Sequence, residues 1–213
     1  MIIFGGSGDL TSRKLMPALF NLFIDDYLPG EFAVLGIGRT DYGGDEKYRE
    51  HLLKGIKEFS RRKDGDGDWQ KFSEKVFYLC LDIKDESAFG IIGKWIGDVS
   101  NKWNEHPTVI YYMAVAPQLA PDIARKLSSQ KLCSDPKKTR IVFEEVIVAE
   151  GCMRNHKRLH GRGIFFHEIG DARRGVDHDL VSKPFQPLAI ERLVMREMLA
   201  ERPMLVKQRH TGR

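Results

Sequence analysis

Short apolar runs alternate along this chain with longer stretches in which apolar residues recur every three or four positions. The runs Ile2–Phe4, Ala33–Ile37, Val76–Leu81, Val109–Ala114 and Arg140–Phe143 are rich in β-branched and aromatic residues and predict strands. Between the first two, Leu15, Leu19 and Leu22 fall on one helical face. Tyr48–Phe59 predicts a helix with Leu52, Leu53 and Ile56 inward, and Trp69–Phe72 a shorter helical piece. Ser87–Trp103 carries Phe89, Ile92, Trp95 and Ile96 along one face, and Pro121–Leu132 carries Ile123 and Leu127. Strands without polar alternation are buried on both sides. Their alternation with amphipathic helices predicts an α/β fold, a doubly wound parallel sheet covered on both faces.

The pattern changes after Phe143. Glu144–Arg213 is rich in Arg and His, and holds five of the seven histidines: His156, His160, His167, His178 and His210. Helical periodicity returns only over Leu188–Leu199, through Ile190, Leu193 and Met198. Lys207–Arg213 reads as a disordered basic tail. The expected organisation is therefore one domain over residues 1–144 and an irregular basic extension over residues 145–213. No internal repeat is visible.

Two clusters raise metal chemistry and neither sustains it. Lys63–Asp68 (KDGDGD) alternates acids but lacks the remaining ligands and closing Glu of a calcium loop, so it reads as a solvated loop. Cys152, His156 and His160 are spaced four apart, with His167 beyond, and zinc takes such ligands. The spacing fits no common finger, and Gly151, Gly161 and Gly163 interrupt a helix there.

Composition narrows the classes further. The chain has 213 residues, 42% of them hydrophobic, enough for one large core. Its net charge of +4 is mild, its acids are interspersed with its bases, and no aromatic platform accompanies the arginines, which argues against a nucleic-acid partner. Cys80, Cys133 and Cys152 are odd in number and far apart. They form no disulfide framework and fit a reducing cytoplasm. No apolar stretch is long enough to span a membrane, and no signal peptide precedes the first strand. That strand begins at Met1 without a lead-in, which reads as a truncated N-terminus.

The first strand runs into Gly5-Gly6-Ser7-Gly8-Asp9-Leu10-Thr11 and then a helix. This is the arrangement that cradles a phosphate. Glycines let the backbone approach, and the helix N-terminus offers N–H groups and the positive end of its dipole. As G-x-G-x-x-[G/A], the fingerprint falls on Gly6 and Gly8 with Thr11 third, and the hydroxyls of Ser7 and Thr11 are candidate phosphate donors. The second strand ends Gly36-Ile37-Gly38-Arg39. NAD sites place an acid at this strand end, for the ribose hydroxyl. NADP sites place an Arg nearby, for the 2′-phosphate. Arg39 stands there, with Arg13 and Lys14 on the same side, so NADP is the expected cofactor; Asp41 keeps NAD open. Asp82 and Ile83, after the third strand, are placed to meet adenine, although Asp82 also reads as a helix cap. The fourth strand leads into Tyr112-Met113-Ala114-Val115-Ala116-Pro117, where small residues leave room for a ligand and Tyr112 reads as either site or core.

Together these motifs resemble the N-terminal domain of the glucose-6-phosphate dehydrogenase family. The family's G-A-S-G-D-L-x-x-[RK]-K-[LI]-x-P is matched by Gly5 to Pro17, through the GDL of Gly8–Leu10 and the RKL of Arg13–Leu15. Its G-x-[GA]-R is matched by Gly36–Arg39. Its Y-L-A-[LV]-P-P is matched by Tyr112–Pro117, with Ala116 for the first proline, and its R-I-[VI]-[FV]-E by Arg140–Glu144. The resemblance implies a Rossmann-type domain that binds NADP, with glucose 6-phosphate as substrate and oxidation to 6-phosphogluconolactone in the pentose phosphate pathway as the reaction.

It implies limits as well. The family continues E-K-P-F-G, where the lysine meets substrate and cofactor. Here Glu144 is followed by Glu145-Val146-Ile147. The family's R-I-D-H-Y-L-G-K-E, with its phosphate-binding and proton-accepting histidines, has no counterpart. Lys183-Pro184-Phe185 echoes KPF far out of place. The expected chain is thus a cofactor-binding domain without assignable catalytic residues or a complete substrate domain, as a truncated or frameshifted copy would be. A non-catalytic NADP-binding module or another Rossmann oxidoreductase remain the alternatives. An extended short-chain reductase would need Tyr-x-x-x-Lys, and Tyr111 and Tyr112 have Val115 and Ala116 at that spacing.

Overall fold

The structure, a computed structural model, describes residues 1–62 and 67–144 together with the backbone of residues 164–167. Strand β1 (Ile2–Phe4) leads through a glycine turn into a π-helical turn (Thr11–Leu15) that continues as helix α1 (Met16–Ile24). Then follow β2 (Val34–Gly38), α2 (Asp45–Phe59), α3 (Asp68–Ser73), β3 (Val76–Cys80), α4 (Ser87–Trp103), β4 (Val109–Met113), α5 (Ala120–Ser129), β5 (Thr139–Glu144) and β6 (Ile164–His167). The sheet order is β3-β2-β1-β4-β5-β6. Its first five strands are parallel and β6 is antiparallel to β5. This is the expected Rossmann-type sheet.

Period-two geometry sends alternate side chains to opposite faces. Ile3, in register with Tyr112, packs with Leu15, Leu19, Phe20, Tyr48, Leu52, Phe72 and Val142 on the α1–α3 side. Ile2 and Phe4 pack with Leu35, Ile37, Phe89, Ile92, Tyr111, Ile123 and Leu127 on the α4–α5 side. Both faces are covered by apolar side chains, which is why the strand sequences show no polar alternation. Tyr111 and Tyr112, adjacent in sequence, thus serve opposite cores.

Pro17 and Gly55 border the π-helical turn. Pro17 sits in the first turn of α1 and has no N–H to return to the preceding turn. The Ser12 carbonyl there meets the Cα side of Gly55 on α2 instead, where a Cβ would come within 2.2 Å of it. Glycine at 55 lets α2 lie against the start of the first helix.

Strand β6 was not expected within the basic extension. Ile164-Phe165-Phe166 is a strand-forming run, but it is short, and its pairing with β5 is long-range in sequence. The loop residues 63–66, the Cys152/His156/His160 cluster, the Leu188–Leu199 periodicity and the tail at 207–213 lie outside the described residues.

Candidate cofactor-binding site

All five parallel strands end at one edge of the sheet. After β1 the chain crosses to β2 on one side, while the later crossovers fill β4 and β5 on the other. The glycine turn therefore stands where the winding reverses, which is where open α/β sheets bind ligands.

The turn is wedged between its neighbours. The Gly5 and Gly6 amides both donate to the Ile37 carbonyl, at 2.9 and 2.7 Å. The Gly8 amide returns to the Gly5 carbonyl at 2.9 Å and the Ser12 amide to Gly8 at 3.1 Å. Gly5 has φ +89°, and a Cβ there would lie 2.0 Å from the Ala114 carbonyl oxygen of the β4 end. A Cβ on Gly6 would lie 2.6 Å from the Gly36 Cα of β2. Only a glycine pair fits between the two strand ends. The first helix opens immediately after, so its positive end points to this edge.

The predicted site residues separate into two groups. Gly5, Gly6, Ser7, Gly8, Asp9, Leu10 and Arg39 gather at the edge. Ser7 is half-buried, with its hydroxyl on the same side of Gly38 as the Tyr78 phenol. Asp9 is exposed and pairs with Arg13 at 3.3 Å, and the Arg13 guanidinium also covers the Phe59 ring at 4.9 Å. Leu10 packs its side chain against the core. Arg39 is exposed directly beyond β2, and its carbonyl accepts the Cys80 thiol at 3.5 Å. Asp41 turns its carboxylate onto the Gly43 amide at 2.8 Å. Asp82 and Ile83 follow β3 at the same edge. The Asp82 carboxylate accepts the Lys84 amide at 3.0 Å, and the Ile83 carbonyl accepts Lys126 Nζ at 2.9 Å. The residue that meets the start of α4 is Asp85, which accepts the Ser87 amide at 2.9 Å. That bond holds the Asp85 carboxyl below the usual carboxylate range.

Two predicted residues point elsewhere. Thr11 is 0% exposed, and its hydroxyl donates to the Gly5 carbonyl at 2.9 Å. It latches the turn from inside and is not placed as a phosphate donor. Tyr112 is 1% exposed within the α1–α3 core, so the core reading is the correct one for it.

Two residues at the site carried no prediction. Tyr48 of α2 donates its hydroxyl to the Gly6 carbonyl at 2.8 Å, and Tyr78 of β3 donates to the Thr40 carbonyl at 2.9 Å. Their sequence signal is the pair Gly36 and Gly38 on β2. Side chains at those positions would strike Tyr48 Oη at 2.3 Å and Tyr78 Oη at 2.8 Å. Among the described residues no group of three metal-ligating side chains occurs, and no helix is long and apolar enough to cross a membrane.

The arrangement fits a dinucleotide: a close-approach glycine turn, a helix end aimed at it and an exposed guanidinium one strand away. A profile of the family described as glucose-6-phosphate dehydrogenase, NAD binding domain, matches residues 2–147. The chain belongs to this family. Glucose-6-phosphate 1-dehydrogenase of Leuconostoc mesenteroides is 32% identical over 142 residues, which are 67% of this chain and 28% of that protein. The enzyme of Treponema pallidum is 32% identical over 133 residues, 62% of this chain and 26% of that protein. The chain therefore spans little more than a quarter of these relatives. Among solved structures, the Mycobacterium avium enzyme superposes with a TM-score of 0.58 at 20% identity, over 69% of this chain and 29% of that one. A glucose-6-phosphate dehydrogenase in complex with glucose 6-phosphate superposes with a TM-score of 0.56 at 24% identity, over 67% and 28%. These superpositions carry the fold.

Proposed function

We propose that residues 1–144 form an NADP-binding domain of the glucose-6-phosphate dehydrogenase type. The observation that carries this reading is Arg39, exposed at the end of β2 beside the glycine turn. A guanidinium there forks onto a 2′-phosphate, which NAD lacks. The backbone of residues 5–8 and the start of the first helix take the pyrophosphate, with Ser7 as the hydroxyl donor. Asp82 and Ile83 would hold the adenine, and the segment Ala114–Pro117 would line the nicotinamide end. The bound cofactor would supply hydride acceptance, and by family likeness the hydride donor is C1 of glucose 6-phosphate.

The chain itself binds and orients the cofactor without oxidising the sugar. Where the family has a lysine that meets substrate and cofactor, this chain has Glu145, and Val146 replaces the proline after it. Removing the C1 hydroxyl proton needs a base within hydrogen-bond reach, and no residue of the sequence is assigned that role. NADP should raise the melting temperature of the purified chain, and NADP with glucose 6-phosphate should give no NADPH absorbance above background. An unchanged melting temperature contradicts the binding, and steady NADPH production contradicts the absence of sugar oxidation.

A further inference from the structure

Beneath the cofactor edge lies a stack of three tyrosines. The Tyr48 and Tyr78 rings lie 4.3 Å apart at 31°, and Tyr42 sets its edge on Tyr78 at 5.0 Å and 86°. Tyr48 is fully buried and Tyr78 is 9% exposed. Their hydroxyls reach different parts of the site. Tyr48 holds the Gly6 carbonyl, within the glycine turn. Tyr78 holds the Thr40 carbonyl, one residue beyond Arg39, and its hydroxyl shares the space over Gly38 with that of Ser7. The stack is anchored by Asp45, whose carboxylate accepts the Tyr78 amide at 2.8 Å and so ties the start of α2 to β3. Gly36 and Gly38 are the sockets. A Cβ at 36 would lie 2.3 Å from Tyr48 Oη, and one at 38 would lie 2.6 Å from Ser7 Oγ and 2.8 Å from Tyr78 Oη.

The consequence follows from peptide geometry. In a trans peptide the carbonyl and the next N–H point opposite ways. Tyr48 draws the Gly6 carbonyl toward the buried side, which turns the Ser7 N–H outward. Tyr78 does the same to the Thr40 carbonyl and fixes the backbone that carries Arg39. Burial raises both phenols, Tyr78 to about 12 and Tyr48 further, so both remain donors at neutral pH.

Building on the NADP reading, we propose that Tyr48 and Tyr78 are positioning residues with divided tasks. Tyr48 orients the turn for the pyrophosphate of either dinucleotide, and Tyr78 holds the Arg39 loop and so sets discrimination for the 2′-phosphate.

The test is calorimetric titration of NADP, NAD, 2′,5′-ADP and 5′-AMP into the full chain and its variants. Tyr78→Phe keeps the ring in the stack and should lower the preference for NADP over NAD, and for 2′,5′-ADP over 5′-AMP, by about fivefold, the worth of one hydrogen bond. Tyr48→Phe should weaken NADP and NAD by a similar factor and leave both preferences unchanged. Gly38→Ala presses on both Ser7 Oγ and Tyr78 Oη and should lower the same preferences while also weakening all four ligands. Lower melting temperatures in both tyrosine variants with unchanged preferences would reduce the pair to core packing and overturn the proposal. Backbone 15N relaxation of the ligand-free chain reads the same division without cofactor. Residues 39–42 should gain mobility in Tyr78→Phe and not in Tyr48→Phe; equal or absent gains overturn it. Equal affinity of the unaltered chain for NADP and NAD would instead contradict the NADP reading, and the relaxation result would still judge the pair.

Discussion

The glycine turn after β1 and the loop after β2 lie side by side at the same edge of the sheet, yet they are held in opposite ways. The turn is fixed from every side. Its amides donate to β2, its first carbonyl accepts Gly8 and Thr11, its second accepts Tyr48, and its glycines touch the backbone of two strands. The loop is exposed at Arg39, Thr40 and Asp41, and is held by the Tyr78 hydroxyl, the Cys80 thiol and the Asp41 carboxylate. A rigid element suits the pyrophosphate that all dinucleotides share. A lightly tethered one suits the phosphate that only some carry. In this account stability resides in the turn and selectivity in the loop.

Four changes should separate the two, in falling order of their effect on stability. Gly5→Ala forces a side chain into a left-handed position and onto the Ala114 carbonyl. Urea unfolding should show a loss of about 3 kcal/mol or more, with nucleotide binding lost as well. A loss under about 1 kcal/mol would mean that the turn is not tightly wedged. Alkaline pH comes next. Burial raises the phenols of Tyr48, Tyr78 and Tyr111 above their ordinary value of 10.0. The folded chain keeps these protons after the unfolded chain has lost them. Their contribution is therefore complete below about pH 10 and declines above it, by about 1.4 kcal/mol per pH unit for each tyrosine. Urea midpoints that stay level from about pH 9 to about pH 11 would contradict this burial. Thr11→Val removes the inner latch on the Gly5 carbonyl and should cost about 1–2 kcal/mol while weakening NADP and NAD alike. A loss under about 0.5 kcal/mol with both affinities unchanged would contradict the latch. Arg39→Ala should move stability by less than about 0.5 kcal/mol and change selectivity most.

Much of this was legible in the chain. The range of α4 follows from an uninterrupted face of Phe89, Ile92, Trp95 and Ile96, and β1 follows from a three-residue apolar run closed by glycines. The strands could be placed within a residue or so because apolar, β-branched and aromatic clusters are local signals. What failed depended on direction or distance. The fingerprint spacing placed Thr11 in the turn but did not show that a π-helical turn points its hydroxyl inward. Tyr111 and Tyr112 read alike until the register with Ile2 and Ile3 sends them to opposite cores. Strand β6 depends on a partner far away in sequence, and its three apolar residues stand among basic ones. Tyr48 and Tyr78 come from different elements, and only the alternate glycines of β2 mark the space that they occupy.

The central claim is that Arg39 gives this domain its preference for NADP. The measurement that bears on it most directly is calorimetric titration of NADP and NAD into the unaltered chain and into Arg39→Ala. The account predicts that the unaltered chain binds NADP more tightly, and that the substitution weakens NADP tenfold or more, the cost of about 1.4 kcal/mol or more for a lost charge-assisted bond, with NAD unchanged. The same ratio of the two affinities in both proteins would contradict it.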